Sequence, residues 1–222
     1  MRLRPCVVVA AIAIASASTA AAQPPDGRVE VGVGAGWIGS AAMSAVEATE
    51  TQGNNTARTV FGFSRELAST PVVEARVAVR LSTRLDVEAT GSYARPQLRV
   101  TTADDVEGAA AVTADEQLQE FTVGGAASWF LVRRAAQTRT TPFVTAGAAY
   151  VRQLHQAATL ADAGALVDLG GGLERVLRVR EGRVRSIGLR IDAHARVRPK
   201  AVAVDGRTHV APMISASLFV RF

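Results

Sequence analysis

The sequence predicts an all-β protein, an eight-stranded antiparallel up-and-down transmembrane β-barrel. Three observations carry that expectation. In segment after segment, apolar residues recur at every second position with polar or charged residues between them, the period of a strand with two unlike faces. After residue 22 no apolar run approaches the ~20 residues that a membrane-spanning helix needs. The last stretch, "SASLFVRF" (215–222), keeps its alternation to the final residue, although chain termini usually fray.

The first 22 residues stand apart from the rest. Arg2 and Arg4 precede the short apolar core "VVVAAIAIASA", and "AAA" at 20–22 supplies small residues before Gln23. These are the three parts of a secretory signal peptide, so cleavage is expected to leave 23–222 as a single barrel domain. Cys6 is the only cysteine and leaves with the peptide; Arg4 and Pro5 stand before it where lipid attachment needs small residues. The remainder then has neither disulfide nor thiol chemistry. Loss of the two arginines takes the formal charge from +5 to +3. The pI of about 10.5 suggests nucleic acid, but the arginines are scattered among Asp and Glu, and an electrostatic footprint needs a patch or stripe. No nucleic-acid partner is expected.

Strands are expected near 28–37, 71–81, 85–99, 117–132, 141–154, 164–178, 185–198 and 208–222. In 72–81, Val73, Ala75, Val77, Val79 and Leu81 oppose Glu74, Arg76, Ala78 and Arg80. In 85–94, Leu85, Val87, Ala89, Gly91 and Tyr93 oppose Asp86, Glu88, Thr90 and Ser92. Phe121, Val123, Ala127, Trp129 and Leu131 oppose Glu120, Thr122, Ser128 and Phe130. Ile187, Leu189, Ile191, Ala193, Ala195 and Val197 oppose Arg190, Asp192, His194, Arg196 and Arg198. "TVFGFSR" (59–65) reads as an extension of the second strand interrupted by Pro71, which cannot donate to a ladder; a further short strand, which would make the count odd, is the alternative. Gly147 marks a bulge in an imperfect alternation. Connections at 82–84, 133–140 and 179–184 are mostly shorter than those at 38–70, 100–116, 155–163 and 199–207. An even strand count with short turns at one rim and long loops at the other places both termini in the periplasm.

The apolar faces are rich in Gly, Ala and Val and would pack loosely as a soluble core. They are therefore expected to face lipid. Aromatics near strand ends fit the two lipid–water interfaces: Trp37 and Tyr93 at the loop ends, Trp129, Phe219 and Phe222 at the turn ends. The polar faces then line a lumen that is only wide enough for its own side chains. The lumen set is Glu30, Glu74, Arg76, Arg80, Asp86, Glu88, Glu120, Asp168, Glu174, Arg190, Asp192, His194 and Arg196. Arginine forks meet carboxylates with two bonds, and pairing makes enclosed charges tolerable. A paired network is a polar core that plugs the barrel; a gated polar path is the alternative.

Ile214, Leu218, Val220 and Phe222 form an alternating apolar face closed by phenylalanine. This resembles the C-terminal insertion signal of bacterial outer-membrane proteins. With the signal peptide and the strand count, the chain resembles the small eight-stranded outer-membrane barrels, the OmpA-type and opacity-type porin-like group. The resemblance implies location in the outer membrane, outer-membrane lipid as surroundings and the barrel-assembly machinery as partner during biogenesis. Functions in that group range from adhesion to tethering to small-molecule passage.

Catalytic signals are thin. His155, His194 and His209 are isolated, with no metal-ligand spacing. "LGGGLE" (169–174) lies inside a strand without the helix and lysine of a phosphate loop. No enzyme activity, metal or cofactor is expected. The long loops are acidic, with Glu47 and Glu50 in 38–70 and Asp104, Asp105, Glu107, Asp115 and Glu116 in 100–116; they are the candidate surface for an unidentified extracellular ligand. The expected role is structural or adhesive. A small channel for weakly polar or apolar solutes and an outer-membrane lipid-modifying enzyme are the alternatives.

Overall fold

The computed structural model describes residues 28–51, 57–103, 110–134, 138–155, 161–179, 183–199 and 208–222. The signal-peptide segment, 1–22, and the loop carboxylates Asp104, Asp105 and Glu107 lie outside the described residues. Twelve strands run in chain order: β1 (Val29–Ile38), β2 (Ala41–Thr51), β3 (Ala57–Leu67), β4 (Thr70–Arg80), β5 (Leu85–Ala94), β6 (Gln97–Ala103), β7 (Val112–Gln117), β8 (Gln119–Phe130), β9 (Thr140–Leu154), β10 (Ala161–Val179), β11 (Ser186–Arg198) and β12 (His209–Arg221). Among the described residues no helix is long and apolar enough to cross a membrane.

Eight of the strands close into an antiparallel barrel in the order β1–β12–β11–β10–β9–β8–β5–β4. The barrel is up-and-down, and its seam is the β1–β12 ladder, which runs from Glu30↔Arg221 to Ile38↔Met213. The last residues of β4, β8 and β10 and the first of β5, β9 and β11 share one rim with the first residues of β1 and the last of β12; we call this the turn end and the other the loop end.

The period-two pattern determines the two surfaces. On β12 burial alternates at every residue from His209 to Phe219, and on β4 from Thr70 to Val73 and from Ala75 to Arg80. The exposed outer positions are apolar, among them Val33, Val77, Val123, Leu169, Ile191, Ile214 and Leu218. The buried inner positions include Glu30, Arg76, Glu88, Glu120, Glu174, Arg190 and Arg221. This inverts the distribution of a water-soluble barrel.

Several expectations need correction. Segments 38–70 and 100–116 are not simple loops. The hairpin β2–β3 and the hairpin β6–β7 pair through β3 and β6 into a four-stranded sheet, β2–β3–β6–β7. "TVFGFSR" therefore belongs to a separate strand, β3, and the break before β4 falls at Ala68–Ser69 rather than at Pro71, which pairs with Trp37. The expected strand 85–99 divides at Arg95–Pro96 into β5 and β6, because proline lacks the amide that would continue the ladder. Gly147 carries no bulge: its register with Ala126 and Asp168 is unbroken. The irregularity of the barrel lies instead between Val176 and Arg178 on β10.

The sheet is tied to the barrel by backbone bonds at its roots: Ala68 N–H to Gln97 O (2.8 Å), Leu118 N–H to Pro96 O (2.9 Å) and Gly39 N–H to Pro212 O (2.7 Å). Beneath it, Ile38, Ala41, Val72, Ala94, Ala211 and Met213 form a buried apolar cluster at the loop end of the lumen.

Candidate functional site: the barrel interior

The strands bring the charged faces of the barrel into one interior. At its centre Arg76 on β4 donates to Glu30 on β1 (2.5 Å) and to Glu88 on β5 (3.2 Å). Arg190 on β11 reaches across to Glu88 (3.1 Å) and holds Asp192 on its own strand (2.8 Å). Ser128 also donates to Glu88, so this carboxylate accepts from three strands other than its own. Arg221 joins Glu30 (2.7 Å) to Glu174 across β12, β1 and β10. His194 stands 3.6 Å from Asp192.

Nearer the loop end, Arg198 donates to Glu120 (2.8 Å), which also accepts from Gln153 (2.7 Å). Arg196 bonds Asp168 through two nitrogens (3.0 and 3.3 Å). Glu74 accepts from Ser215 Oγ (3.0 Å). At the turn end Asp86 takes a bidentate contact from Arg134, one arm at 2.6 Å, and Arg80 lies buried opposite Asp86 in the β4–β5 register. Every charged residue expected in the lumen thus points inward; Glu74, Asp168 and His194 are half-buried and the others buried.

The expected lumen set omits Arg134, Arg198 and Arg221. Arg198 and Arg221 follow the inward parity of β11 and β12, so the signal was present. Arg134 sits in the 131–139 connection, where no alternation operates, and folds back over the rim. Phe219 is a correction: it was expected in an interfacial girdle, yet it is fully buried in the lumen. Its parity matches Ser217 and Arg221, and Gly188 opposite gives its ring the space a Cβ would take. Trp37, Trp129 and Phe222 do lie exposed on the outer surface, each about half accessible.

Three inward phenylalanines lie towards the turn end, each under an arginine. The guanidinium of Arg134 lies 3.7 Å from the Phe130 ring centre, Arg190 4.0 Å from Phe143 and Arg221 4.6 Å from Phe219. Stacking on the ring face holds each guanidinium by its plane while its edges bond carboxylates. Phe130 and Phe143 themselves pack at 5.4 Å. Gly172 makes room for this layer, since a Cβ there would stand 3.0 Å from Phe143 Cζ.

Between the aromatic layer and the apolar cluster lies a cavity of about 70 Å³, lined by Thr90, Ser92, Thr122, Thr145, Asp192 and His194 among others. Thr122 is buried and its hydroxyl has no partner among the described residues. The space suits a few water molecules, which polar cavities of this size hold. Among the described residues no group of three or more His, Cys, Asp or Glu is arranged to hold a metal.

A closed antiparallel barrel of eight strands with an apolar exterior and a charged interior is the architecture of small outer-membrane barrels. The structure is similar to the N-terminal β-barrel domain of Pseudomonas aeruginosa OprF, at 8% identity over 87% of this chain and 98% of that one, with a TM-score of 0.40. It is also similar to Ail, the attachment invasion locus protein of Yersinia pestis, solved with the heparin analogue sucrose octasulfate, at 11% identity over 87% of this chain and 99% of that one, with a TM-score of 0.39. No protein-family model and no curated protein matches the chain.

Proposed function

We propose that the chain is an integral outer-membrane protein whose barrel is closed to solutes and which presents an interaction platform on the cell surface. The observation that carries this reading is the inversion of the two faces. Val33, Val123 and Ile214 are each more than 60% exposed on the outer wall, while ion pairs fill the inside. In water that exterior would be a large apolar patch of the kind monomeric proteins rarely expose; in hydrocarbon it is the favoured surface.

The turn end, with both ends of the barrel chain, then faces the periplasm and the loop end faces outward. Ile214, Leu218, Val220 and Phe222 lie on the lipid face of β12, where the assembly machinery would read them. The closed lumen is supported by its contents: an aromatic–arginine layer at one end, an apolar cluster at the other, and paired charges between. The platform is the four-stranded sheet, which stands on the loop rim and extends the barrel wall away from the membrane. Its β6–β7 hairpin carries the exposed pair Arg99–Asp115 (3.1 Å), and Glu116 on it receives His155 from the neighbouring rim (2.9 Å). The reading assigns the chain no catalytic step.

Reconstitution of the purified protein into planar lipid bilayers tests the proposal. Folded, heat-modifiable protein should insert and give no stepwise conductance. Regular openings would defeat the closed lumen, and failure to insert in any lipid would defeat the membrane assignment.

A further inference from the structure

The turn end carries an unusual charge distribution. On the β9–β10–β11 side of this rim Arg139, Arg175, Arg178, Arg183 and Arg185 are all exposed. The described acidic side chains of the same end, Glu30, Asp86 and Glu174, are all buried inside the barrel. None of these five arginines has an ion pair to a described carboxylate, in contrast to the exposed Arg99 at the loop end, which meets Asp115.

The β10 irregularity gives this charge a direction. Residues 175 and 178 are three apart and in a regular strand would point to opposite faces. The register, however, pairs Arg175 with Leu189 and Arg178 with Ile187, skipping one residue between Val176 and Arg178. Leu189 and Ile187 stand two apart on the outward face of β11, so both arginines share the outer wall. A bulge re-aims side chains in this way. Both arginines therefore stand on the outer wall at the end of the strand, where Leu173 and Leu177 are also exposed.

We infer that Arg175 and Arg178, with Arg139, Arg183 and Arg185 around them, form a binding site for the phosphate headgroups of anionic phospholipids in the leaflet at the turn end. The inference rests on the membrane reading above. Long basic side chains at the edge of an apolar band bury their stems and lift their charge to headgroup level, and a basic cluster there attracts anionic lipid. The placement of Arg175 and Arg178 on the apolar outer wall, and not on the lumen face, favours lipid.

The test uses the full chain reconstituted in phosphatidylcholine bilayers, with folding checked by heat-modifiable migration. Electron spin resonance of spin-labelled lipids then measures the preference of the protein for phosphatidylglycerol over phosphatidylcholine. A basic side chain near an anionic surface is worth about a five-fold preference, and the wild type should show at least that at low salt. The double variant Arg175→Gln/Arg178→Gln should lose it, added salt should weaken it, and Arg99→Gln at the loop end should retain it. A folded, inserted wild type with no preference overturns the inference and leaves the membrane reading standing. A preference that survives the double substitution also overturns it. Wild-type protein that never inserts removes the membrane reading and this site together.

Discussion

The barrel interior and the projecting sheet are built with the same kind of pair, an arginine against a carboxylate, in opposite surroundings. The Arg76 and Glu88 side chains are 8% and 2% exposed, whereas those of Arg99 and Asp115 are 47% and 45% exposed. Inside, the pair is shielded from bulk water, so each partner depends on the other and on its remaining lumen contacts, Glu30 for Arg76 and Arg190 and Ser128 for Glu88. Outside, water competes for every bond and salt screens what remains. The difference teaches that the geometry of a pair says little about its worth; its enclosure decides.

The largest expected effect follows from Arg190, which holds Glu88 and Asp192 and covers Phe143. Arg190→Leu leaves buried carboxylates uncompensated and should destabilise the barrel by about 3–5 kcal/mol, read from urea titration in lipid vesicles. A neutral result would remove the enclosed network as a stabilising element. Next is the neighbouring position on the opposite face. Ile191 is 48% exposed on the outer wall near the middle of β11, and Ile191→Arg should cost about 2–4 kcal/mol in the same assay if lipid surrounds it. A loss below about 0.5 kcal/mol is what a surface facing water would give. The smallest effect belongs to the sheet: Asp115→Asn should change stability by less than about 0.5 kcal/mol, and a larger loss would mean that the projecting hairpin is enclosed by something further.

The same contrast explains what the sequence made legible. Barrel strands have one face in the lumen and one outside, so their composition alternates, and 185–198 anticipated β11 (Ser186–Arg198) almost residue for residue. Strand β7 of the projecting sheet has no such asymmetry. In β7, "VTADEQ", no position is buried, so nothing imposes an alternation and the strand passed for loop. Only the phenylalanines of "TVFGFSR" hinted at β3. Within the lumen, parity identified which side chains point inward but not how far each reaches. That Arg134 would fold back from a connection to grip Asp86, or that Phe219 would occupy the space left by Gly188, depends on contacts between segments far apart in sequence. The bulge in β10 was invisible for the same reason: it is a property of the pairing with β11, not of β10 alone.

The Glu30–Arg221 pair joins residues 191 positions apart, and it sits on the seam that closes the barrel. Every other ladder of the barrel joins strands nearer in the chain, and each can form as its hairpin or neighbour arrives. The seam alone must wait for the whole chain, and bringing its ends together carries the greatest loop-closure entropy in the molecule. Until then β1 and β12 are open edges with unsatisfied backbone groups, able to pair with any passing strand. Arg221, which bridges Glu30 and Glu174 once the edges meet, ties β12 to β1 across that seam and to β10 within the lumen.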